Sequence, residues 1–238
     1  MKSGSRHEDG VLLSPSGIGM TSYRPEHMRA YKFLEADGSS IWSGTPWPLP
    51  SSGGPGPWVE SDRVDPCRAG IHACRADALA YWLRDTLWEI ELDGEIVEAR
   101  HKVAARRGRL VRPIDDYPVA MRELNVVCAW RARDHAAGPL RAAGEDELAD
   151  RFERCTTMDQ LDALGADVTD RLDPETRAAK AAMLAVDTAT FALSGPPPEP
   201  PFIAACAAGY AADDFDAAYS RERRFQSDWL GERLGLGS

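Results

Sequence analysis

The sequence predicts an α+β fold, a small Trp-rich β-containing N-terminal domain followed by a mostly helical C-terminal region. Three observations carry that expectation. Residues 1–27 and 28–114 are each electrically balanced, whereas 115–238 hold 13 basic against 23 acidic groups and so carry the whole net charge of −10. Five of the seven tryptophans, Trp42, Trp47, Trp58, Trp82 and Trp88, lie before residue 89. Short alternating apolar segments dominate up to residue 114, and alanine-rich stretches of helical spacing dominate after it. The chain therefore divides into a flexible N-terminal tail (1–27), an α+β domain (28–114) and an acidic helical region (115–238).

Regular structure is expected from Met28. The run Arg29-Ala30-Tyr31-Lys32-Phe33-Leu34 reads as a strand with Tyr31 and Phe33 on one face, and Ala-Asp-Gly-Ser-Ser supplies a turn. Residues 42–58 contain five Pro, four Gly and three Trp. Proline removes amide donors and fixes φ, so this stretch is a long loop, either pinned to the surface by its tryptophans or serving as one wall of a ligand pocket. Residues 75–83 read as a short helix with Leu79, Trp82 and Leu83 at core spacing. Leu87–Leu92 alternates as a strand, Asp93-Gly94 reads as a hairpin turn into Glu95-Ile96-Val97, and residues 108–114 form the last strand. Helices are expected over 116–134, 145–165, 174–193, 201–212 and 214–235, with Asp115-Asp116 at the start of the first and Asp173 capping the third ahead of Pro174.

Composition limits function. An acidic chain is poorly suited to long nucleic acid, whose phosphates reward a basic surface. No apolar run approaches the roughly 20 residues that span a bilayer, and the first ten residues lack the apolar stretch of a signal peptide. The expectation is a soluble, cytoplasmic protein. It has no P-loop, no G-x-G-x-x-G after a strand, no G-x-S-x-G elbow and no H-E-x-x-H.

Chemistry concentrates in two places. Cys67, His72 and Cys74, with His101 further on, are thiolates and imidazoles that would suit zinc if they converged; on an extended strand His72 and Cys74 point the same way. The alternatives are buried structural thiols or a reactive thiol. His72 by itself is a general acid–base candidate, and Glu98 or Glu95 and Tyr81 are candidate companions. The second place is residues 100–112, where Arg100, Lys102, Arg106, Arg107, Arg109 and Arg112 form a basic strip. It is read either as a phosphate- or carboxylate-binding face or as the ion-pair partner of the acidic helices.

The segment Cys67-Arg-Ala-Gly-Ile-His-Ala-Cys74, then Tyr81-Trp82 and His101-Lys102-Val103-Ala104-Ala105, resembles an uncharacterised bacterial and phage domain family with a Cys…Gly-[Phe/Ile]-His-Ala-Cys signature. Residues 219–236 resemble the ends of actinobacterial hypothetical proteins. Neither likeness implies an activity. The order of elements is also similar to that of ADP-ribosyltransferases, which implies roles for Tyr31, His72, Tyr81 and Glu98 or Glu95 and a NAD-like nucleotide.

Three readings follow. The first is a small-molecule enzyme, such as a transferase on a nucleotide-like or other anionic substrate, centred on His72 with Glu98 and Tyr81 and served by the basic strip. The second is a module stabilised by zinc on Cys67, His72, Cys74 and His101. The third is a non-catalytic protein whose acidic helices dock a protein partner. No membrane and no long nucleic acid are expected as partners.

Overall fold

Residues 28–34 set apolar side chains on both sides of an extended chain, which suits a strand covered on both faces. In the computed structural model, which describes residues 27–66, 68–194 and 198–237, they form β1, Met28–Leu34. The expected tail lies, except for His27, outside the described residues. β1 pairs antiparallel with the long strand β4, Thr86–Ala99, from Met28↔Leu92 to Leu34↔Thr86. β4 pairs with β5, Lys102–Pro113. Two short strands share the far edge of β5: β2, Val59–Glu60, opposite Gly108 and Arg107, and β3, Ile71–Ala73, opposite Ala105 to Val103.

The sheet then closes. Cys74, the residue after β3, exchanges two backbone hydrogen bonds of 2.8 Å with Tyr31 of β1. β3 thus touches β5 along one side and β1 along the other, and the circuit β1-β4-β5-β3 encloses its own apolar cluster. Ala30, Leu34, Ile71, Ile90, Leu92 and Leu110 are among its members. Closure leaves few unpaired edges for another chain to join.

The hairpin turn lies elsewhere than expected. Asp93-Gly94 sits inside β4, where the register shifts between Asp93 and Ile96. Gly94 adopts φ +78, which a glycine tolerates, and the pair forms a bulge. The strand continues because Ile96 packs on the inner cluster and the residues beyond it have partners in Val103 and Ala104. The turn itself is Arg100-His101, between the paired Ala99 and Lys102.

Between β3 and β4 lies a 3₁₀ helix, Ala76–Tyr81. After β5 come α1 (Tyr117–Ala142), α2 (Asp146–Arg154), α3 (Met158–Asp162), α4 (Gly165–Arg171), α5 (Arg177–Ser194), α6 (Glu199–Ala211) and α7 (Phe215–Leu234). The single helix expected over 145–165 is divided at Cys155–Thr157, where Thr157 and Gln160 form a reciprocal capping box that starts α3. Asp173 accepts a bond from the Glu175 amide instead of capping a helix. Thr176 Oγ1 accepts from Ala179 N at 3.2 Å and starts α5.

One apolar cluster crosses residue 114. It runs from Phe33 and Leu87 of the sheet through Leu79, Tyr117, Met121 and Leu124 to Leu230 of α7. Polar ties follow the same route: the fully buried Tyr117 donates to Arg84 O at 2.6 Å, and Ala80 N donates to Ser227 Oγ at 3.0 Å. The described residues contain no helix long and apolar enough to cross a membrane.

The interior of the closed sheet is filled to contact at Gly108. A Cβ there would lie 2.6 Å from Ile71 Cγ2 and 3.1 Å from Leu92 Cδ2. Gly108→Ala is expected to lower stability by about 1–3 kcal/mol through overpacking. In a double-mutant cycle by urea denaturation its cost should shrink on an Ile71→Ala background. Strictly additive costs would contradict this packing.

Candidate functional site

The closure at Tyr31 and Cys74 is a single residue pair, and next to it β1 and β3 part. A cleft of about 620 Å³ opens there, lined by Tyr31, Lys32 and Phe33 of β1 and by Ile71, His72, Ala73 and Cys74. Residues 40–47, which include the first part of the Pro- and Trp-rich loop, form one wall of the cleft. Trp47 is buried and donates its Nε1–H to Ser40 Oγ at 2.6 Å, whereas Trp42 stands 81% exposed at the rim. Volume and lining are of the size and mixed character that small-molecule sites share.

Lys32 lies on the β1 face that also carries Ala30 and Leu34. Its ammonium donates to His72 O at 2.9 Å and sits 4.5 Å from the Trp47 ring centroid. No carboxylate pairs with it among the described residues. An ammonium so placed loses hydration without gaining an opposite charge, and burial lowers its pKa from 10.5 to about 8. His72 is the neighbour across the gap. Cys74 turns its backbone groups toward β1, and His72, two residues earlier, turns its carbonyl the same way. The His72 ring nitrogen Nε2 lies 3.4 Å from Asp65 O. Burial lowers the pKa of the imidazole, Lys102 and Lys32 add to that, and the carbonyl and the nearby carboxylate of Asp65 oppose it. His72 is accordingly neutral at pH 7.

Lys102 and the exposed Arg68 also line the cleft. Its described lining thus holds Lys32, Lys102, Arg68 and His72 but neither Asp nor Glu, in a chain whose net charge is −10. Cys74, also in the lining, is almost wholly buried, and burial raises its thiol pKa far above the ordinary value. It is a structural thiol, not a reactive one.

The other sequence candidates fall elsewhere. Glu98 is exposed near the tip of the β4–β5 hairpin and pairs with Arg75. Tyr81 stacks on His101 with ring centroids 3.7 Å apart and faces the Arg223 guanidinium. Neither is part of the cleft, so the expected companionship of Glu98 and Tyr81 with His72 is not formed there. Of the basic strip only Lys102 reaches the cleft. Arg107, Arg109 and Arg112 bond Asp93, Glu91 and Glu89, their register partners on β4, so these pairs are cross-strand neighbours. Arg106 donates to Asp62 O, and Arg100 is exposed at the turn. Arg107, Arg109 and Arg112 therefore pair with the carboxylates of their own hairpin, not with the acidic helices. Those helices answer much of their charge internally, as in Arg141 with Asp150 and Glu153 or Arg171 with Glu145 and Glu147.

Among the described residues the zinc set is not assembled, and no three of His, Cys, Asp and Glu converge as metal ligands would. His72 is in the cleft, while His101 is stacked on Tyr81. Cys67 lies outside the described residues.

Lys32 and Arg68 were not singled out from the sequence as site residues. A signal for Lys32 was present, since it shares a strand face with Ala30 and Leu34 while Tyr31 and Phe33 occupy the other. Arg68 carries no comparable signal. No family model, no curated protein and no solved structure matches the chain.

The Lys32 environment has a measurable consequence. The unfolded chain holds the lysine proton up to about pH 10.5, and the folded chain releases it near 8, so unfolding takes up a proton between those values. Stability from this group therefore rises as pH climbs from 8 to 10.5. Relative to Lys32→Met, the wild-type protein should gain about 3 kcal/mol across that window by urea denaturation. Parallel pH profiles for the two proteins would refute the assignment.

Proposed function

We propose that the chain binds and transforms a small organic anion, nucleotide-like in size, in the cleft beside the β1–β3 closure, with His72 as the proton-transfer group. The observation that carries this reading is the charge of the described lining, basic and without a carboxylate in an acidic protein. Such a pocket attracts anions by its local field even though the molecule as a whole repels them. Lys102 and Arg68 supply charged donors, and Trp42, Trp47 and Trp82 supply flat apolar surface for a planar group. A histidine that stays neutral at pH 7 can accept a proton from a bound ligand. Glu98 and Tyr81 stand apart from the cleft, which leaves His72 as its proton-transfer group.

Isothermal titration with AMP, NAD, pyrophosphate and 2-oxoglutarate tests it. At least one should bind at a single saturable site. Lys102→Met and Arg68→Met should each weaken that binding at least fivefold without loss of a cooperative thermal melt. Absence of binding by all four at millimolar concentration would overturn the reading.

A further inference from the structure

We propose that the Lys32 amine is a nucleophile that forms an imine with its ligand, which makes the cleft a site for an aldehyde or 2-oxo acid carrying an anionic group. The identity of the anion rests on the function proposed above, whereas the reactivity of the amine rests on the geometry of Lys32 alone.

Lysine is scarce in this protein, which has four lysines against 24 arginines. Two of the four, Lys32 and Lys102, line the same cleft. Arginine supplies positive charge equally well but stays protonated and cannot attack a carbonyl. Lys32 is also an expensive way to bind an anion, because its ammonium is held beside the Trp47 ring with no carboxylate among the described residues to neutralise it. Loss of the proton removes that cost. With a pKa near 8, roughly a tenth of the amine is free base at pH 7, far more than for a lysine in water.

The geometry suits attack. A neutral amine keeps two N–H donors and one lone pair. One N–H can remain on His72 O, 2.9 Å away, which fixes the rotation of the nitrogen. The side chain is half-buried, so a ligand in the cleft can reach it. Lys32 Nζ adds to the carbonyl carbon, the C=O π bond opens, and the oxygen takes a proton as the nitrogen loses one. A second proton on that oxygen lets it leave as water while the nitrogen lone pair closes the C=N bond. The iminium nitrogen then gives up its proton, replacing the second one taken by the oxygen, so the sum is R–CHO plus Lys–NH₂ giving R–CH=N–Lys plus water. His72, neutral and in the same cleft, supplies a site through which the protons pass.

Reductive trapping tests the proposal on the full chain. The protein is incubated at pH 7.5 with cyanoborohydride and either propanal, a neutral aldehyde, or glyoxylate, an anionic one. Each lysine is then quantified by peptide mass. Both probes should modify Lys32 at least tenfold faster than Lys180, which is paired with Glu175 on the surface. Lys32→Arg should abolish the fast adduct while retaining a cooperative melt, and if that variant fails to fold, the lysine map of the wild-type protein decides. Modification of Lys32 no faster than Lys180 by either probe, or a fast adduct on Lys102 instead, would overturn the imine. Fast propanal labelling of Lys32 without fast glyoxylate labelling would support the nucleophile and overturn the anionic ligand.

Discussion

The reciprocal backbone pair between Tyr31 and Cys74 is the constraint on which the rest of the molecule depends. Without it β3 would be a short ribbon on the edge of β5, and the interior cluster of the sheet would lie open. With it the strands form a closed circuit, but one joined to β1 by a single residue pair. Two 2.8 Å bonds hold one point, and the strands separate beside it. The apolar interior and the ligand-sized opening therefore have one cause. What the seam cannot supply as backbone pairing, Lys32 supplies in part as a side chain, with its ammonium on the His72 carbonyl.

The same residues tie the two halves of the chain together. Cys74 and Phe33 face the cluster shared with the helices, while Ile71, Ala73 and Leu34 face the interior of the sheet. Alternation along β1 and β3 thus assigns one side of each strand to each core. A shift of one residue at the Tyr31–Cys74 pair would exchange them. This explains the pattern Gly70-Ile-His-Ala-Cys74 physically: two inward apolar residues, a histidine at the opening, and a cysteine at the point of closure. The glycine before them takes φ +113, a value L side chains rarely adopt.

Much of the architecture was legible in the sequence, because charge, tryptophan placement and periodicity all change near residue 114. Strand β1, the helical second half and the Pro-rich wall follow from local pattern. Asp93-Gly94 misleads because the same dipeptide serves a hairpin turn and a bulge, and only the pairing of Ile96 with Ala105 decides between them. The basic strip misleads for a related reason. Arg107 and Arg109 stand opposite Asp93 and Glu91, and a register shift brings Arg112 opposite Glu89, a match visible only once the hairpin register is known. His72, which lines the cleft, was legible as a candidate because histidine carries its chemistry in its identity. Lys32 was not, since its lowered pKa comes from the loss of water around the amine, and that depends on Trp47 and the closure of the sheet.

The chemistry proposed for the cleft depends on the state of one amine, and nuclear magnetic resonance of ¹⁵N-lysine-labelled protein reads that state directly. With four lysines in the chain, the ζ-nitrogens can be resolved and assigned by substitution. Titration should show the Lys32 nitrogen losing its proton near pH 8. A Lys32 nitrogen that titrates at the ordinary value near 10.5 would mean that the amine is solvated, and would contradict the nucleophile proposed for the cleft.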